Sequence, residues 1–446
     1  MTPVDAAAGS DVDLIVVGAG AKATAIAAKV HAINELGLGP ISLLIVEERE
    51  SAASWSGARG MTSGEEPLAL TPLKDVGFPY ETHRLFGAAG CAIDGRLLEF
   101  SWQRYLIERQ GYARWLNAGL PPVRHREYGR YLAWTLARAS NGVQAIRGRV
   151  TQVSLEREQE RWAVEIAGAS GSRSWRRGRA LALTGSGVHR PLSHDTEAAP
   201  RIFHCDGHRG ELARMPAERA CEVAIVGGGD GALSALMYLR ELRANLGLTV
   251  YTPAPPISRG ESFLENRVFS DPDSVGWSSL DVHTRRTFIR HTDQGVFDAG
   301  ALAQLAGDER CTFVVGRVRH IATAHEAVSV EYDTPGGPAA ARHDYAVNCT
   351  GFDLLAQVGP LFAPTVRAEI EAQAGPVWDG RLGTELAFGR MLELEGLRPR
   401  LHIPGLAALS QGPGFANLGC LGLLSNRVLQ AFLLDGSTAS LEMQAA

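Results

Sequence analysis

The chemistry easiest to read in this chain lies in two glycine-rich turns. In "LIVVGAGAKA" an apolar strand runs into Gly18-x-Gly20-x-x-Ala23 and on into an Ala-rich stretch. Gly18 permits a tight turn, Gly20 lets the backbone approach a pyrophosphate, and Ala23 is small enough for close helix–strand packing. The phosphates then rest on amides at the helix N-terminus. The next strand, "ISLLIVEE", delivers Glu47, an acid suited to accept hydrogen bonds from a ribose. The same grammar returns in "EVAIVGGGDGALSAL" as Gly227-x-Gly229-x-x-Ala232. Its following strand, in "LGLTVYTPAPPISRG", ends on Tyr251 and Thr252 with no acid, and Arg259 comes soon after. A carboxylate there would repel a 2′-phosphate, so its absence and the arginine favour NADPH over NADH. Asp230, inside the second turn, is unfavourable beside a pyrophosphate unless it points away. FAD is expected at the first turn and NADPH at the second, one nucleotide delivering a hydride to the other.

The elements that must position these turns set the fold class. At 446 residues the chain exceeds one ordinary core, so two or more domains are expected. "ALALTGSG" and "HDYAVNCTGF" both read as strands ending in small residues, the second at Thr350-Gly351, and such turns suit crossings between two nucleotide domains. The expected fold is α/β, with two doubly wound Rossmann-like dinucleotide-binding domains. The FAD domain is discontinuous (1–199 and 343–446) and the NADPH domain (200–342) is inserted into it. A small helical substrate region, about 261–310, is expected against the cleft between them.

Composition removes other classes. With 45% hydrophobic and 21% charged residues the chain is globular, and its net charge of −5 offers no general attraction to nucleic acid or anionic membrane. No run of about 18 apolar residues is present to span a bilayer, and the N-terminus has the marks of no secretory signal. The six cysteines form no C-x-x-C pair, which argues against a redox dithiol, a disulfide framework or a metal site. A reduced, cytoplasmic enzyme is expected, its oligomeric state left open. Neither a G-x-S-x-G elbow, an H-E-x-x-H nor a Walker motif occurs.

Eight stretches in order, "VGAGAKA", "TPLKDVGFPY", "FSWQRYL", "HREYGRYLAW", "VGGGDGA", "SRGESFLENRVFSDP", "TDQGVF" and "SQGPGFANLGCLGLLSNR", resemble the flavin-dependent N-hydroxylating monooxygenases. The resemblance spans nearly the whole chain and is strongest to the lysine N-monooxygenases of mycobactin- and nocobactin-type siderophore pathways. It implies that NADPH-reduced flavin activates O2 and passes one oxygen atom to the side-chain amine of L-lysine. On the same ground Lys74 holds the substrate carboxylate and Asn266 helps bind the amino-acid head. Asp293 lies near the reacting amine, where it holds the cation or takes its proton. Trp55 and Arg126 match positions near the flavin, with Arg126 also near NADPH. Gly412 and Leu418 belong to a segment that closes over the flavin.

Three departures separate the chain from ornithine enzymes of the family: Ala69 replaces a glutamine, Phe352 replaces a tyrosine, and the "GPGFANLGCLGLL" ending differs. Lysine and ornithine differ by one methylene, worth only about 1–3 kcal/mol in a pocket. An ornithine N-hydroxylase and an uncoupled flavin NADPH oxidase therefore stand as alternatives.

Overall fold

The computed structural model describes residues 2–3, 11–57, 62–68, 72–192, 201–206, 219–259, 263–324, 326–375, 377–378 and 386–437. Its first sheet grows from Val12–Val17, whose Leu14, Ile15 and Val16 are fully buried. Leu43–Glu47 and then Val143–Arg147 extend it on one side, and Arg173–Leu183 extends it on the other, all in parallel. Arg400–His402 adds a further parallel strand against Ala180–Ala182. This domain is therefore closed by residues from both ends of the chain. Strands Arg149–Glu156 and Arg161–Ala167 continue it as an antiparallel meander onto the first half of Arg173–Leu183.

Helix Ala21–Glu35 packs on helix Leu421–Ser437 and is buried on nearly every side. Six alanines among its fifteen residues explain how: side chains of one carbon let backbones pack closely without loss of helix propensity.

The second sheet holds five parallel strands in the order Cys311–Val315, Leu246–Thr252, Cys221–Val226, Tyr345–Asn348, Ile202–His204. Helix Asp230–Leu242 covers one face through Ala232, Ala235, Leu236 and Leu239. The other face, with Ala224, Val226 and Tyr251, meets an antiparallel sheet of Arg317–Ala324, Ala327–Thr334 and Gly337–His343. Tyr345–Asn348 corrects the expected 342/343 boundary. This strand pairs with Cys221–Val226 in the second sheet, so the return to the first domain follows Gly351. There the outgoing and returning chains form a two-stranded ribbon, Val188–His189 against Phe352–Asp353. The Phe352 ring lies tilted by 41° against that of His189, their centroids 4.8 Å apart.

Between the sheets lie helices Phe263–Ser270 and Val282–Thr292, joined by two short 3-10 turns. Trp277 and Arg285 both donate to the Leu409 carbonyl, fixing this region on helix Pro404–Gln411 of the first domain. Helix Ala299–Leu305, in contrast, places Leu305 in the core of the second domain. The stretch facing the first domain thus ends at the Asp293 turn.

Candidate active site

The first glycine turn has the shape that a dinucleotide requires. Gly18 takes φ +100°, and a Cβ there would lie 2.8 Å from the Thr184 hydroxyl. Gly20 caps helix Ala21–Glu35, and a Cβ on it would meet nothing within 4 Å, so a pyrophosphate has an approach to the helix N-terminus. Ala23 is fully buried against the sheet. Glu47 closes its strand, and its carboxylate accepts from the Ala19 amide at 2.9 Å and from the Arg49 amide at 3.0 Å. The acid is therefore locked to the turn itself, its outer edge half-exposed.

The second turn repeats this geometry. Gly227, at φ +141°, could carry no Cβ without reaching 2.3 Å from the Cys349 carbonyl oxygen. Gly229 caps helix Asp230–Leu242, and Ala232 is fully buried. Thr252 is buried at the end of its strand, its hydroxyl bonded to the Ala254 carbonyl. Asp230, which the sequence left awkward, has a partner: Arg259 grips its carboxylate with both bonds from one terminal nitrogen, at 2.7 and 2.8 Å. Below the turn, Thr350 donates its amide and hydroxyl to the Asn348 side chain, and the Gly351 carbonyl accepts from the Arg190 amide.

A polar chain joins the two turns. Lys22, in the first turn of the first fingerprint's helix, donates to the Ala416 carbonyl at 2.7 Å. The adjacent Asn417 donates to the Asp293 carboxylate at 3.3 Å. Two residues on, the Gly295 amide lies where a Cβ on Gly229 would be 3.4 Å away. The segment carrying Ala416 and Asn417 is pressed into place from the helical region. A Cβ on Gly412 would lie 2.5 Å from Pro272, and Leu418 packs on the first domain's core. Burial raises the Asp293 pKa above the ordinary carboxylate value; the Asn417 bond and Arg259 oppose that rise, while Asp230 adds to it.

Lys74 ends the 3-10 turn Pro72–Lys74, and burial lowers its pKa, with Cys420 partly offsetting. The same thiol influences Lys22, whose pKa is pushed down to about 8 mainly by desolvation. Cys420 is itself buried and pushed up to about 12 by that burial, with Arg427, Lys22 and Lys74 opposing. Lys74 and Lys22 thus both interact electrostatically with Cys420, one brought by the "PLKD" loop and the other by the first fingerprint. The loop is anchored by Asp75, which is 2% exposed and accepts from the Trp102 and Phe78 amides and the Tyr80 hydroxyl. Burial pushes Asp75 up to about 7 against those hydrogen bonds.

The remaining expected residues lie elsewhere. Arg126, at the start of helix His125–Arg138, donates to the Ser63 carbonyl at 2.9 Å and pairs with Glu65. Those contacts tie it to the 62–66 loop and not to Lys74 or Asp293. Trp55 packs edge-on against His125 and Tyr128 of the same helix, at 5.0 and 5.3 Å. Asn266 lies on the exposed side of its helix. Ala69 falls outside the described residues. Asn417, Asp75 and Lys22 are site residues that the sequence reading passed over. All three lay within quoted motifs, so position was the available signal.

The L-lysine 6-monooxygenase/L-ornithine 5-monooxygenase family model matches residues 97–308. An L-lysine N6-monooxygenase, MbtG, of Mycolicibacterium paratuberculosis is 33% identical over 94% of this chain and 95% of its own length. Its counterpart from Mycobacterium tuberculosis is 34% identical over 94% of each. Among solved structures, the lysine monooxygenase NbtG from Nocardia farcinica, described for an unprecedented NADPH domain conformation, superposes with a TM-score of 0.79 at 32% identity. It covers 94% of this chain and 99% of its own. The ornithine hydroxylase PvdA from Pseudomonas aeruginosa shares the fold at a TM-score of 0.75 and 18% identity, over 95% and 99%. At 33% to 34% identity to the two MbtG relatives over 94% of its length, the chain belongs to the L-lysine 6-monooxygenase/L-ornithine 5-monooxygenase family.

Proposed function

We propose that the protein is an FAD- and NADPH-dependent monooxygenase that hydroxylates the ε-amine of L-lysine with O2, supplying the hydroxylamine from which a siderophore hydroxamate is built. The observation that carries this reading is the chain Lys22–Ala416–Asn417–Asp293, which runs from the first glycine turn to the edge of the second. With Glu47 at the first turn favouring FAD there and the acid-free strand end at Thr252 favouring NADPH at the second, this polar chain directs the substrate amine to the ground between them. When bound, NADPH supplies two electrons, and reduced FAD with O2 supplies the oxygen atom.

The residues of the chain must bind lysine, hold it and remove a proton. Lys74 is the cation for the substrate carboxylate, and partial burial strengthens that attraction by thinning the intervening water. Asn266 is assigned to the amino-acid head and Arg126 to the flavin side of the cleft, on the match of their motifs. The ε-amine starts as an ammonium of pKa about 10.4, and deprotonating it near neutrality costs roughly 4 kcal/mol. Asp293 accepts that proton at its carboxylate. Burial has raised the affinity of this carboxylate for protons, which narrows the gap to the amine.

No described helix is long and apolar enough to cross a membrane. Among the described residues no cysteine is in a disulfide, and a reduced, cytoplasmic setting is part of this reading. The test uses purified protein with its flavin quantified by visible absorbance. NADPH oxidation and hydroxylamine formation are followed together, with lysine, ornithine, acylated lysine and no amine. Hydroxylamine from lysine but little from ornithine is the expected result. Product from ornithine alone would shift the substrate, and absence of flavin would overturn the reading.

A further inference from the structure

The Asp230–Arg259 pair lies at the lip of the second glycine turn. Asp230 is the first residue of helix Asp230–Leu242, where the helix N-terminus faces a nucleotide's phosphates. Arg259 is the cation nearest the acid-free strand end at Thr252 in the chain, and its backbone amide is fixed to the Phe297 carbonyl at 2.8 Å. The glycine turn touches that strand end, since a Cβ on Gly228 would come within 3.3 Å of the Thr252 methyl. The guanidinium reaches from there to the Asp230 carboxylate, with Arg259 only 20% exposed and Asp230 61% exposed at their side chains.

We propose that Asp230 tunes the preference of this site for 2′-phosphorylated nucleotides by competing with the 2′-phosphate for Arg259. The proposal rests on the NADPH reading and goes beyond it. A carboxylate and a phosphate offer a guanidinium the same kind of partner, two oxygens in one plane. Whichever holds Arg259 leaves fewer donors for the other. Asp230 is mostly in water, so giving up the arginine leaves a solvated carboxylate and no buried orphan charge. The exchange is therefore cheap enough to be reversible. Asp230 also repels the pyrophosphate, but that effect is common to NADH and NADPH. Competition for Arg259 affects only the nucleotide with the 2′-phosphate, and the ratio of the two affinities isolates it.

The experiment measures dissociation constants of NADP+ and NAD+ by calorimetry on the flavin-loaded protein. It compares the wild type, Asp230→Asn, Arg259→Ala and the double variant, each matched for flavin content and thermal midpoint. Asp230→Asn should raise the ratio Kd(NAD+)/Kd(NADP+) by about threefold to fivefold, the scale of one exposed ion pair. Arg259→Ala should collapse the ratio toward one, and in that background Asp230→Asn should change both constants equally. If Asp230→Asn leaves the ratio unchanged or lowers it while Arg259→Ala collapses it, the competition is overturned and the phosphate contact stands. If Arg259→Ala leaves the ratio intact, the phosphate contact itself is wrong and the competition falls with it.

Discussion

Asn417 donates its side-chain amide to the Asp293 carboxylate at 3.3 Å, and with that bond a residue of the first domain's closing segment holds one at the edge of the second domain's glycine turn. The bond fixes where the carboxylate points. It also stabilises the ionised form, opposing the rise that burial causes. A carboxylate of raised pKa acts only when deprotonated, so hydroxylation should fall as the pH drops through that pKa. Asp293→Asn should lower kcat by about 100-fold, the scale of a lost general base, and move the remaining activity toward higher pH. A pH profile of hydroxylamine formation, with and without the substitution, checks both. An unchanged profile would remove Asp293 from proton transfer.

Lys74 should show a different signature. Lys74→Ala removes a partly buried cation from its carboxylate partner, worth about 1.5–3 kcal/mol, so KM for lysine should rise about 10-fold to 100-fold. Flavin content should not change, and cadaverine, which lacks the carboxylate, should be handled alike by wild type and variant. Steady-state kinetics with both amines give the answer, and equal losses on both would refute the clamp.

What the sequence made legible followed from local rules. Gly18, Gly20 and Ala23 and their counterparts Gly227, Gly229 and Ala232 announce a strand–turn–helix because the positive φ of Gly18 and Gly227 and the helix-capping places of Gly20 and Gly229 are local features of the chain. The side-chain partnerships were not legible. That Asp230 meets Arg259 within the second domain, or that Asn417 meets Asp293 from the other domain, depends on how separate segments are packed, and no periodicity encodes that. The 342/343 boundary failed for a related reason. Tyr345–Asn348 is apolar and parallel-paired, and such a strand reads the same whichever sheet it joins.

Lys29 gives a stability prediction separate from catalysis. It sits 1% exposed within helix Ala21–Glu35, donating to the Gly422 carbonyl at 3.1 Å and to the Asn426 side chain. Desolvation pushes its pKa down to about 7, with Asp94 opposing. Between that value and the unfolded lysine's 10.5 the unfolded chain binds more protons than the folded one, so this residue makes stability rise with pH in that window. The wild type should gain about 2 kcal/mol relative to Lys29→Met between pH 7 and pH 9. Denaturant melts of both proteins at the two values measure the difference. Parallel curves would mean that Lys29 keeps its ordinary pKa.

The closing segment gives the sharpest steric test. A Cβ on Gly414 would stand 1.9 Å from the Phe269 carbonyl oxygen and 2.8 Å from the Cys420 sulfur, so Gly414→Ala must push the segment off helix Phe263–Ser270. Gly414 precedes Asn417 by one turn, and that displacement breaks the hold on Asp293 without altering either glycine fingerprint. NADPH oxidation should therefore persist while hydroxylamine per NADPH falls about 10-fold or more, a misplacement of the reacting groups being costly in that range. Hydrogen peroxide should account for the missing equivalents. Measuring NADPH, peroxide and hydroxylamine in one reaction decides the matter. A variant that still couples oxidation to product would show that the segment can move without disturbing the site.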